Sequence, residues 1–108
     1  MFTRSAIFEG VIHPGKEDEF FDIIENNLLP IWRRMPHVTD VRLFRPVAQD
    51  DGTPDIILVQ QIDYPTLDAI DEALSSPQRD EAVAASEPLA ALYEGRHYHF
   101  VYEKLTDS

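Results

Sequence analysis

The spacing of apolar residues in this chain changes from every second position to every third or fourth and back, twice over, and that alternation restricts the fold more than any other feature. Phe2, Ala6, Phe8, Gly10 and Ile12 fall on one side of a period-two pattern, with Ile7 and Val11 on the other, which predicts a strand apolar on both faces. His13-Pro14-Gly15 ends it, since proline has no N–H for a ladder and glycine permits the turn. From Lys16 to Met35 the apolar residues Phe20, Ile24, Leu28, Ile31 and Met35 are spaced as one helical stripe, widened by Phe21 and Trp32. Glu17, Asp18 and Glu19 occupy its first turn and Arg33 and Arg34 its last, which complements the helix dipole. Pro30 predicts a kink or restart near Leu28.

The second half repeats the scheme. Val38 to Val47 alternates as a second strand, and Gln49 to Pro54 supplies Asp, Gly and Pro turn chemistry. Asp55 to Ile62 is an apolar, β-branched third strand, so strands two and three form a hairpin. Leu67, Ile70 and Leu74 begin a second helical region after Tyr64-Pro65-Thr66, and Ser76-Pro77 restarts it with a cap residue followed by proline. Glu87-Pro88 opens a last turn carrying Leu89 and Leu92. Gly95 is expected to end it, leaving Arg96 to Leu105 as a fourth strand with Tyr98, Phe100 and Tyr102 on one face.

The order β-α-β-β-α-β with right-handed crossovers predicts a ferredoxin-like α+β fold, a four-stranded antiparallel sheet in the order 4-1-3-2 with both helices on one face. A chain of 108 residues sustains one core, so residues 1–108 are read as a single domain. Since all four strands carry apolar residues on both faces, the uncovered face calls for a partner. A second copy is the simplest one, and a homodimer whose sheets pack or close into a barrel is expected.

Composition removes several function classes. Twenty acidic residues against nine basic ones give a net charge of −11, which repels phosphate backbones and anionic headgroups, so neither nucleic acid nor membrane is an expected partner. Without cysteine there are no disulfides, thiolate nucleophiles or Cys-containing zinc motifs. No signal-peptide run or membrane-length apolar stretch is present, and a cytoplasmic location is expected. A Gly-rich phosphate loop, a G-x-S-x-G elbow and a helix with paired histidines are all missing.

The candidate chemistry lies in the histidines. Strand four is expected beside strand one, which would bring His13 towards His97 and His99, themselves two apart and so on one face. An imidazole there serves as general base or ligand contact. With Glu9 or Glu103 the three could also ligate a metal, although no spacing motif is matched. The ordinary alternative is a set of strand-end or dimer-contact histidines. Tyr98 and Phe100 could stack on an aromatic substrate or form core or dimer interface, and Trp32 could line a pocket or simply pack. Arg42 and Arg45 could orient an anionic or enolate oxygen or pair with surface acids.

Three segments carry a family resemblance: Pro14-Gly15-Lys16, Leu29 to Pro36 (LPIWRRMP) and Leu67 to Pro77 (LDAIDEALSSP). Over nearly the whole chain the sequence resembles the dimeric α/β-barrel superfamily of antibiotic biosynthesis monooxygenase, stress-responsive barrel and EthD proteins. The tail Ala82-Val83-Ala84-Ala85 looks most like EthD. The resemblance implies a cofactor-independent oxygenase or isomerase acting on a hydrophobic or aromatic compound between sheet and helices. His97 or His99 would transfer the proton, and Trp32 and Tyr98 would shape the cavity. A non-catalytic ligand-binding or accessory protein is the alternative it also implies, with a haem or metal barrel third. Two departures stand out. Many relatives have glycine after the Met-Pro step where this chain has His37, and strand one lacks the Asn of haem-degrading relatives, so haem is not carried over.

Overall fold

The computed structural model describes residues 1–106. β1 (Phe2–Ile12) lies between β3 (Ile56–Tyr64) and β4 (Tyr93–Glu103), antiparallel to both, and β2 (Asp40–Phe44) borders β3. The sheet order β2-β3-β1-β4 is the predicted 4-1-3-2 read from the opposite edge. The helices cover one face. The shortest dimension of 18 Å matches one sheet layer and one helix layer, which stack about 10 Å apart.

The first helix is a composite of α1 (Glu17–Asp22), a π-wound segment (Ile23–Leu28) and α2 (Leu29–Trp32). At the junction the Leu29 N–H donates to the carbonyl of Ile24, five residues back. Pro30 has no N–H to give and its ring would crowd the carbonyl four residues earlier; the widened turn makes room for it. The restart expected near Leu28 is therefore a π turn. α3 (Leu67–Leu74) and α4 (Pro77–Ser86) follow, each with a side-chain cap. Thr66 Oγ1 accepts from the Ala69 N–H at 3.0 Å, and Ser76 Oγ from the Arg79 N–H at 3.2 Å. A 3₁₀ turn, Glu87–Ala91, leads into β4.

Phe20, Ile24 and Leu28 are fully buried against Ala6, Phe8, Leu58 and Ile62 of the sheet. Phe8 and Phe20 meet edge to face with centroids 6.1 Å apart.

Several boundaries differ from expectation. β2 stops at Phe44, short of Val47, because Pro46 cannot donate to a ladder. β4 starts earlier, at Tyr93, so Gly95 lies inside the strand opposite Gly10 and does not end the helix. The reason is steric. A Cβ on Gly10 would stand 2.1 Å from the Glu94 carbonyl oxygen, and one on Gly95 2.0 Å from that of Glu9. His37 adopts φ 66°, the left-handed conformation that explains a glycine after Met-Pro, and its imidazole contacts the Glu72 carboxylate.

The face without helices is more polar than the alternation predicts. Thr3, Ser5 and Asp63 are buried on its two inner strands, towards one end of the sheet. Arg42 grips Asp63 through two parallel hydrogen bonds of 2.7 and 2.8 Å, and Thr3 Oγ1 donates to the same carboxylate at 2.6 Å. The Arg42 hydrogen bonds hold the Asp63 carboxyl below the usual carboxylate range. Apolar surface concentrates along the β4 edge, where Phe100 and Tyr102 are exposed and stack with centroids 6.2 Å apart.

Candidate functional site

Strand parity builds the site. Arg4, Ala6 and Phe8 on β1, Gln60, Ile62 and Tyr64 on β3, and His97 and His99 on β4 all line the space beneath the helices. The β1–β4 register sets His97 opposite Phe8 and His99 opposite Ala6. The small side chains of Ala6 on the sheet and Ala82 on α4 leave room between the layers. The result is a cavity of about 430 Å³, within the range of small-molecule sites. Leu28, Trp32, Met35 and Leu89 furnish its apolar wall.

Within it the His97 ring stacks on Phe8 at 5.5 Å and meets His99 edge-on at 5.7 Å. Burial, assisted by the positive charges of Arg4, His97 and Arg79, pushes His99 down to about 4. At neutral pH His99 is therefore an uncharged imidazole whose lone pair accepts a hydrogen bond and, as a base weaker than ordinary histidine, a proton. Burial also raises the Tyr64 phenol, against the opposing pull of Arg4 and Arg79.

The structure brings together His97, His99 and Trp32 from the residues singled out in the sequence. Six others lie elsewhere. His13 follows the end of β1, where its N–H donates to the Leu92 carbonyl. The Phe8–His97 pairing puts it five residues from His97 along the strand, about 16 Å, so the three histidines do not share a corner. Tyr98 and Phe100 have the opposite parity to His97 and His99 and sit on the uncovered face, where Tyr98 donates to Glu9 at 3.0 Å. Arg42 is on that face too, committed to Asp63, Asp40 and Gln61. Arg45 packs over the Phe21 ring at 4.2 Å. Glu9 is turned away from the histidines towards Arg96 and Tyr98. Among the described residues no three His, Asp or Glu side chains converge as metal ligands. Among the same residues no helix is long and apolar enough to cross a membrane.

Sequence reasoning passed over Arg4 and Arg79. Both carried a signal. Arg4 interrupts an apolar strand at inward parity, and Arg79 stands in the first turn of a helix, where the dipole favours acids.

No family profile matches the chain, and no curated protein matches it in sequence. Solved structures do. An EthD-family protein from Bacillus halodurans superposes with a TM-score of 0.79 at 17% identity, over 97% of this chain and 99% of its own. A mutant of SnoaB, a cofactor-independent oxygenase from Streptomyces nogalater, gives 0.70 at 20% identity, over 98% and 94%. A dimeric protein of unknown function and ferredoxin-like fold from Bacteroides fragilis gives 0.69 at 13% identity, over 95% of each chain. At these identities the likeness shows the fold alone, a ferredoxin-like α+β fold.

Proposed function

We propose that this chain binds a hydrophobic or aromatic small molecule between sheet and helices and acts on it without a cofactor, as an oxygenase or isomerase working through proton abstraction. The single observation that carries this reading is the pair of adjoining imidazoles, His97 and His99, in the wall of a cavity of about 430 Å³ whose other wall is apolar. His99 is the general base in this scheme. His97 adjoins it, and Trp32 forms part of the wall against which the substrate body rests. The cofactor-independent oxygenase among the structural neighbours supports the reaction class by analogy of fold.

The working unit in this proposal is a homodimer joined through the uncovered sheet faces. It is supported by the exposed aromatic edge of β4 and by the dimeric neighbour of the same fold.

Anthrone is a direct probe, since removal of its methylene proton leaves an enolate that takes up O₂ and collapses to the quinone with loss of water. The expected result is accelerated quinone formation that falls by about a hundredfold or more in the His97→Ala/His99→Ala double variant. Unchanged turnover in a folded double variant would remove the histidine assignment. A second reading, a ligand-binding protein that performs no chemistry, is favoured by one observation. Among the described residues neither His97 nor His99 is hydrogen-bonded to a carboxylate that would orient it as a base. Saturable binding of anthrone with no quinone formed would decide for that reading.

A further inference from the structure

Arg4 and Arg79 both line the cavity, one from the sheet and one from the first turn of α4. Each is only partly exposed, and among the described residues neither guanidinium has a carboxylate within ion-pairing distance or a hydrogen-bond acceptor. In a chain with twenty acidic residues, two facing cations without a counter-charge are unexpected. Asp63 balances Arg42 on the other side of the sheet, and Glu81 balances Arg34 on α4. Glu87, the one carboxylate among the described residues of the cavity wall, lies at its exposed rim and pairs with neither. The position of Arg79 adds to the cost, because cations are disfavoured in a helix's first turn.

We infer that the cavity takes an amphiphilic organic acid, its apolar body against Phe8, Leu28, Trp32 and Leu89 and its carboxylate between Arg4 and Arg79. The inference rests on the cavity being a ligand site, as proposed above, and adds the ligand's charge. A planar carboxylate suits guanidinium forks, whose paired N–H groups match its two oxygens. The Arg4 guanidinium is held below its ordinary range by burial and by Arg79, the direction expected of cations awaiting a counter-ion. His99 feels the same two charges, with His97 and the Tyr64 and Tyr93 phenols around it and Glu87 at the rim. A bound anion therefore raises the His99 pKa from its depressed value, a change visible in the imidazole resonances.

The test compares 2-naphthoate with 2-naphthalenemethanol, matched in shape and differing in charge, by titration calorimetry at pH 7.5 against the full chain. The expected result is binding of the acid on the order of tenfold or more tighter than the alcohol. In the Arg4→Gln/Arg79→Gln variant the acid should fall to the alcohol's level. Equal affinities for wild-type protein, or a preference that survives the double substitution, would overturn the inference while leaving the cavity reading intact. If neither compound binds at millimolar concentration, the cavity reading and the inference fall together. The wild-type comparison and the His99 shift decide the matter even if the variant does not fold.

Discussion

His99 titrates differently in the folded and unfolded chain, and this gives the site a signature in stability. Above its ordinary value of 6.5 it is neutral in both states and contributes nothing. As pH falls from 6.5 towards about 4 the unfolded chain takes up the proton first, so stability is lost across that window and no further below it. Urea unfolding of wild type and His99→Gln from pH 8 to 4 should show the wild type losing ground to the variant between those values; carboxylate titrations cancel in the comparison. At His37 the left-handed backbone sets the order of tolerance. His37→Val should cost about 1–2 kcal/mol, because a β-branched side chain is poorly accommodated there, whereas His37→Gly should be neutral or mildly stabilising. Arg42 belongs to structure. Arg42→Ala leaves the buried Asp63 carboxylate without its main partner and should lower thermal stability by about 2–3 kcal/mol, with ligand binding in the cavity unaffected.

At the scale of elements, caps and strand crossings divide the work. The Ser76-Pro77 restart was legible because its chemistry is local, a hydroxyl accepting from the N–H three residues on. Ser76→Ala should cost about 1 kcal/mol in chemical denaturation, as is typical for a lost cap. Gly95 illustrates the opposite case. In sequence it looked like a helix terminator, and only the pairing with Gly10 reveals that two backbones approach too closely there for any side chain. Gly95→Ala should therefore destabilise by about 3 kcal/mol or more, measured by urea unfolding, far beyond a surface substitution. The π turn at Ile23–Leu28 lies between these cases: Pro30 announced an interruption, but not that the helix would absorb it by widening.

At the scale of the molecule, one sheet face is covered by helices and the other carries a polar cluster on its inner strands beside an aromatic edge. Exposed strands of this length and character are normally covered. Sedimentation at micromolar concentration should give twice the chain mass of 12.4 kDa, and Phe100→Glu/Tyr102→Glu should give the single-chain mass with the helical signal retained. A wild-type particle of one chain mass would remove the dimer.

By itself the sequence determined the order of elements, the sheet topology and the parity that faces His97 and His99 the same way, because periodicity, caps and handed crossovers are local or nearly local constraints. What only the tertiary structure decided was which side chains share a space. Register carried His13 away from the other histidines, the helices covered the His97 and His99 face of β4 and left the Tyr98 and Phe100 face open, and Arg42 was taken by Asp63. The meeting of Arg4 and Arg79 in one cavity depends on α4 crossing β1 from 75 residues away in sequence, a distance over which no local pattern fixes which side chains meet.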